Sequence, residues 1–455
     1  MRTAKTVLTV IQERGKQKKP IERVYKLLFN RELYLNAYAK LYPNNGAMTK
    51  GVTNETVDGM SIQKIDRMIE ILREEKYQWK PARREYIKKK NGKKRPLGIP
   101  VWGDKVLQEV MRQSLEAYYE PQFSEHSHGF RPNRGCHTAL QEIQVWKGTR
   151  WFIEGDISQY FDTIDHKILL EILARNIHDG RFIRLVSNML EAGYLEEWKF
   201  KQTISGVPQG GVISPILANI YLNEFDNWIE EVLIPKYTKG KRQKSNPEYN
   251  KLTAEIQKLR KEGDAKTAHQ LVVERRKIPS VNTQDENYRR LRYVRYADDF
   301  LIGIIGSKQD AIIIKEDIKN FLYEKLALTL SDEKTLITHA ENAAKFLGYE
   351  IFVRKSNDTK RSKYGVLRRV FHKRIQLALG KDTCKKKLLE YRVLEIKIHN
   401  GKEYWKAKSR PKLSNNNDFE ILDRYNKEIK GIFFTHSIRI IDTDVFSRCH
   451  LQGIV

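Results

Sequence analysis

Cysteine is scarce in this sequence: Cys136, Cys384 and Cys449 are the only three among 455 residues, each far from the others. That spacing excludes a disulfide framework and a Cys-x-x-Cys metal knuckle, and it suits a reducing compartment. Long apolar runs are lacking as well. The longest, such as residues 300–305, are strand-sized and fall short of the roughly 18 residues of a membrane span, which excludes an integral membrane protein. The basic opening segment has no sustained apolar core before a small-residue cleavage site, which argues against a secretory signal and leaves an organellar address as a minor alternative. Acidic residues are in deficit, 57 Asp+Glu against 84 Lys+Arg, for a net charge of +27. With 40% hydrophobic and 10% aromatic residues the chain is far too apolar for a disordered basic tail. It is expected to fold, to attract polyanions, and to contain about two to four domains.

The pattern along the chain predicts an α+β protein. Over residues 22–71 helical stretches (VYKLLF, LYLNAYAKLY, IDRMIEIL) surround the turn-rich NNGAMTKGVTNETVDG, giving a helical N-terminal region at 1–70. REYIKKKNGKKRPLGIP predicts a hairpin turning at Asn91-Gly92 with a basic tip, followed by a helix over 105–119, within a unit at 71–150. Residues 151–155 predict a strand closed by Asp156, and HKILLEILARNI after Asp165 predicts a helix. After GVPQGG, Ser214 is a candidate N-cap and Pro215 fits the first helical position, with Leu217, Ile220, Phe225 and Trp228 as the buried stripe. Residues 236–290 shift to a charged helical hairpin bending at Gly263, a surface insertion in a unit at 151–352. RRLRYVRYADDFLIGII places Asp298-Asp299 at a hairpin tip. Beyond Phe352 the chain is very basic, with helical spacing around VFHKRIQLAL, and reads as a nucleic-acid-facing unit at 353–432 before a tail at 433–455.

Asp156 at a strand end and Asp298-Asp299 on a hairpin are the carboxylates that a two-metal phosphoryl-transfer site requires, since Mg²⁺ takes hard oxygen ligands and keeps positions open for phosphates. Taken singly, each reads first as a solvated turn former; taken together, spacing alone leaves the two readings even. Adjacent strand residues point to opposite faces, so Asp298 is expected to be the principal ligand of the pair. Lys88, Lys89, Lys90, Lys93, Lys94 and Arg95 form either a triphosphate clamp or a solvated charged turn. The GVPQGG loop offers close backbone approach to a nucleotide through Gly206, Gly210 and Gly211, or is simply a tight connection. His126, His128 and His137 lack the partners that would complete a metal site and read as ordinary surface or packed histidines.

YADD at 296–299, preceded by HGFRPNRG, GDISQYFDTIDH and GVPQGGVISPILANIYLNEFD and followed by LSDEKT and FLGYEI, resembles the reverse transcriptases encoded by group II introns. The resemblance runs from about Asn36 to Ile432. It implies a right-hand polymerase fold: split fingers, an antiparallel palm sheet and a helical thumb after a helical N-terminal extension. It implies an RNA-directed DNA polymerase with a splicing (maturase) role in a bacterial cytoplasmic nucleoprotein. Asp156, Asp298 and Asp299 would hold two Mg²⁺ ions. Phe161 would lie beneath the sugar and favour deoxynucleotides. Lys89 and Arg95 would bind the triphosphate, Arg131 would line the incoming nucleotide, Gln209 would lie near the templating pair, and Lys334 would protonate the leaving pyrophosphate. Intron RNA, an RNA template with DNA primer, dNTPs and target DNA are the implied partners, with 22–59 and the hairpin at 246–279 as the RNA-facing segments. After Ile432 the family's tyrosine-rich continuation is replaced by FFTHSIRIIDTDVFSRCHLQGIV, and the paired Cys and His of an endonuclease domain are absent, so a C-terminally truncated copy is expected. A non-catalytic RNA-binding splicing cofactor is the competing reading, though a pure binder has no need of the three acids. Nothing in the pattern fixes an oligomeric state.

Overall fold

A computed structural model describes residues 3–436 except 89–91, 93, 197–198, 202–204, 208–209, 283–284, 355–358, 362–364, 366, 370–373 and 400. Its centre is a four-stranded antiparallel sheet in the order Leu336–His339, Trp151–Asp156, Asp299–Ile305, Arg290–Tyr296. Side chains alternate across these strands, and each face has its own core. On one face Ile153, Tyr293, Phe300 and Ile302 join the main core with Leu169, Leu217 and Ile314, from the helices His166–Asn176, Ser214–Trp228 and Lys308–Leu326. On the other, Phe152, Val294 and Leu301 meet Leu140, Ile143 and Trp146 and a second sheet, Ala344–Phe346, Tyr349–Val353 and Ile375–Leu379. Burial on both faces explains why FLIGII is apolar at successive positions.

The N-terminal helices Ala4–Lys16, Arg31–Leu41 and Ile62–Arg73 are capped by Thr3, Asn30 and Ser61, whose side chains accept backbone N–H bonds left open by the first turn. The third packs against Arg31–Leu41 and Val24–Phe29, and the first two pack on the long helix Trp102–Tyr119. Gly15 makes this approach possible: a Cβ there would lie 2.1 Å from the Tyr118 carbonyl oxygen. Ala4, Leu28, Leu33 and Leu72 lie in the same core as the central helices, so the boundary expected at residue 70 does not divide the packing.

The basic hairpin pairs Ala82–Lys88 with Lys94–Ile99, as expected. Its sheet also takes in Tyr194–Glu196 and Lys199–Lys201, a stretch the sequence reading assigned to the larger unit at 151–352; the parallel pairing of Ala82 with Tyr194 draws it across. The charged insertion is a helical hairpin, Pro247–Lys261 and Ala265–Lys277, with Gly263 at φ +84° in the bend.

At VFHKRIQLAL, where helical spacing was expected, the described part of residues 353–432 is not helical. Within VFHKRIQLAL, Val370–Lys373 lie outside the described residues and Ile375–Leu379 is a strand paired with Tyr349–Val353. Ile375 and Leu377 alternate with Gln376, so the segment buries one face at a period of two. A further hairpin, Leu394–His399 with Lys402–Ala407, lies between the helices Lys381–Glu390 and Asp418–His436. Residues 437–455 of the expected tail are outside the described residues. Among those described, no helix is long and apolar enough to cross a membrane.

Candidate active site

Strand register assembles the carboxylates. Asp156 ends its strand directly opposite Asp299, the first residue of the neighbouring antiparallel strand. Asp298 sits in the two-residue turn with Ala297, whose φ of +55° releases the chain from strict strand alternation. In the strand register Asp299 is the partner of Asp156, while Asp298 approaches from the turn.

The electrostatics record this crowding. Burial, then the charges of Asp298 and Asp156 and a hydrogen bond with Asp156, push the Asp299 carboxyl up to about 7, against a smaller pull from Lys334. Burial and the Asp156 charge also raise Asp298, with Arg95 and Lys334 acting the other way. Arg95 lies at the exposed start of the strand Lys94–Ile99, and the basic hairpin thus acts on the carboxylates electrostatically.

Lys334 donates from Nζ to Asp156 Oδ2 at 2.8 Å. That bond and the charges of the three aspartates raise its pKa and keep the ammonium charged. The turn carrying it is latched to the strand end: Ser331 N donates to the Asp156 carbonyl at 2.9 Å, and Thr335 N to the Ser331 carbonyl at 2.8 Å. Among the described residues no three His, Cys, Asp or Glu side chains converge closely enough to cage a metal ion. The donor set nevertheless suits a divalent cation. It consists of hard oxygens whose mutual repulsion a cation would relieve, with open sides for phosphate oxygens.

Phe161 lies in a short helix, Tyr160–Thr163, just after Asp156, with its ring 6.4 Å from that of Phe130 in an edge-to-face arrangement. The glycine loop braces this helix. Val207 N donates to the Phe161 carbonyl at 2.7 Å and Gly206 N to that of Ile164 at 2.8 Å. Gly206 has φ +94°, and a Cβ there would meet the Asp162 backbone at 2.8 Å. A Cβ on Gly210 would likewise meet the Gly98 carbonyl oxygen at 2.8 Å, so the loop spans from the aromatic helix to the basic hairpin sheet. Gln209 and Lys89 lie outside the described residues.

Arg131 is buried and paired. Its side chain is 3% exposed and pairs with Glu120, Nη2 to Oε1 at 2.9 Å, while Nη1 donates to the Ser124 and Ser127 carbonyls at 2.5 and 2.8 Å. The guanidinium is engaged in holding the 120–131 loop. His126 and His128 both engage Glu142, consistent with packed histidines. The residues missed from sequence are Asp226, Asn219 and Arg295, a buried polar cluster beneath the Ala297-Asp298 turn. No local signal singled them out, since Arg290 and Arg292 share the strand of Arg295, and Asn223 and Glu224 share the helix of Asp226.

Residues 87–351 match the family model described as "Reverse transcriptase (RNA-dependent DNA polymerase)". The chain is 42% identical over 420 residues to the group II intron-encoded protein LtrA of Lactococcus lactis subsp. cremoris, covering 90% of this chain and 69% of that one. It is 35% identical over 361 residues to protein YkfC of Escherichia coli K12, covering 76% and 86%. It is 42% identical over 330 residues to a putative COX1/OXI3 intron 1 protein of Saccharomyces cerevisiae, covering 72% and 39%.

Proposed function

The chain belongs to the reverse transcriptase family, among its group II intron-encoded members, and from that membership we propose that it extends a DNA primer on an RNA template and binds the RNA of its own intron. Members of this family bind nucleic acid and work with divalent metal ions. The observation that carries the proposal is the opposition of Asp156 and Asp299, with Asp298 in the adjoining turn.

Asp156, Asp298 and Asp299 are assigned as ligands of two Mg²⁺ ions, which when bound lower the barrier to attack by the primer 3′-hydroxyl and neutralise charge on the leaving pyrophosphate. The chain's own residues do the rest. Arg95, with Lys89, orients the triphosphate by charge and by the guanidinium's paired donors. Phe161, braced from behind by Val207, presents an edge that a ribose 2′-hydroxyl would strike. Gln209 contacts the templating pair. Lys334, kept protonated by its aspartate neighbours, donates its proton to the leaving group. Catalysis is mostly positioning and charge stabilisation, which suits a site built at the junction of two strand ends.

A net charge of +27 supports binding of template duplex and intron RNA through phosphates and shape, with affinity falling steeply as salt rises. The N-terminal helices and the hairpin at 246–279 are the surfaces assigned to intron RNA and to a splicing role, in a bacterial cytoplasmic nucleoprotein. The test is primer extension by the purified chain on an RNA template with dNTPs and Mg²⁺. Extension to the template end is expected. Folded protein that binds the duplex and adds no nucleotide would overturn the polymerase reading in favour of a splicing cofactor.

A further inference from the structure

Beneath the turn that carries Asp298 lies a fully buried ion pair. Arg295 and Asp226 are each 0% exposed and are joined twice, Nε to Oδ1 at 2.8 Å and Nη2 to Oδ2 at 2.5 Å. The remaining donors of the same guanidinium are also engaged. Nη1 reaches the Ala297 carbonyl at 2.9 Å and Asn219 Oδ1 at 3.2 Å, and Nη2 reaches Ser127 Oγ at 2.8 Å. Asp226 accepts in addition from the Tyr293 hydroxyl at 2.7 Å.

Three chain segments therefore meet at one side chain. Asn219 and Asp226 lie on the helix that follows the glycine loop, and Asn219 Nδ2 donates to the Gly129 carbonyl at 2.8 Å. The Arg295 backbone is bracketed by His126 and His128, and Gly129 packs so closely that a Cβ would lie 2.3 Å from Ala297 N. Ala297 itself is held at φ +55°, a conformation that costs a non-glycine residue on the order of 1 kcal/mol and persists where the surroundings over-determine it.

Burying both charges carries a desolvation penalty of several kcal/mol per ion, and apolar residues of similar volume often stabilise such sites equally well or better. What an apolar pair cannot supply is direction: donors aimed at the Ala297 carbonyl from a fixed planar fork. We propose that Arg295 and Asp226 are positioning residues, a strut that sets the Ala297-Asp298 turn and through it the spacing of the three carboxylates. The inference rests on the polymerase reading.

Two variants test it. Arg295→Met with Asp226→Leu removes both charges together and leaves no buried ion behind, and Arg295→Lys keeps the charge opposite Asp226 while losing the fork. The double variant is expected to melt at or near the wild-type temperature and to bind primer-template with unchanged Kd. Its kcat is expected to fall about 100-fold, the scale of a 1 Å misplacement, and its Mg²⁺-induced rise in Tm to shrink. Arg295→Lys is expected to lose kcat and Mg²⁺ response in the same direction, with KM for dNTP changed less. Wild-type kcat and Mg²⁺ response in either folded variant would overturn the strut, as would a loss of rate no larger than the loss of folded fraction. An inactive wild-type chain in the same assay would instead overturn the polymerase reading on which the inference stands.

Discussion

Asp156 and Asp299 face each other across adjacent antiparallel strands, with the Lys334 ammonium 2.8 Å from Asp156 Oδ2. Two acids are thus held closer than either would choose in water, and one lysine partly offsets their charge. The consequences are measurable without a substrate.

The first concerns pH. Asp299 titrates at about 7 in the folded protein, against roughly 3.9 for an unperturbed Asp. Between these values the folded state holds a proton that the unfolded state has released. Its stabilising effect is complete below pH ~4 and is lost as pH rises through 7. Metal-free protein should therefore lose about 1–3 kcal/mol between pH 5 and pH 8 from this group, discounted for its partial exposure. In Asp299→Asn the slope of Tm against pH should flatten, and Mg²⁺ should raise Tm less than in wild type. An unchanged slope would remove Asp299 from the account.

Lys334 is predicted to matter to rate more than to folding, because its side chain is 66% exposed. Lys334→Ala should lower single-turnover nucleotide addition by on the order of 100-fold or more, the usual scale for a lost general acid. The Asp299 titration should move to higher pH, since a neighbouring positive charge is gone. A Tm-monitored pH titration of the variant beside rapid-quench kinetics reads both effects.

Phe161 is predicted to govern sugar choice. Phe161→Val keeps part of the packing against Phe130 while clearing space at the ring edge. Discrimination between dNTP and rNTP, measured as the ratio of kcat/KM values, should drop by roughly 10- to 200-fold, the range that pocket sterics command. Equal ratios in variant and wild type would exclude this role.

Arg131 should behave as a structural residue. Arg131→Met leaves Glu120 without its guanidinium, at an expected cost of about 2–3 kcal/mol given that Glu120 is partly exposed. KM for dNTP at a temperature where the variant stays folded should match wild type. A selective rise in that KM with no loss of Tm would restore the nucleotide-lining assignment.

Much of the site was legible because apolar strands end abruptly in acids: Asp156 after WFIEG and Asp298-Asp299 between YVRYA and FLIGII are local patterns. What stayed hidden was long-range. Arg295 finds Asp226 at a separation of 69 residues, and no local period announces such a pair. Arg131 was assigned to nucleotide by the resemblance of its motif, and no local pattern announced its pairing with Glu120, eleven residues upstream. Residues 375–379 fit helix or strand equally well by composition, and the edge offered by Tyr349–Val353 decided the matter. The sheet of the basic hairpin gained Tyr194–Glu196 and Lys199–Lys201 for the same reason, since register between distant strands is set by packing.

The most direct test compares Asp156→Asn, Asp298→Asn and Asp299→Asn with wild type in single-nucleotide addition to a DNA primer on RNA, in Mg²⁺, after equal folding and equal primer-template binding have been verified. The account predicts that wild type adds the nucleotide and that each substitution abolishes addition while binding persists. Addition at the wild-type rate by any of the three would contradict the assignment of these carboxylates as the catalytic centre.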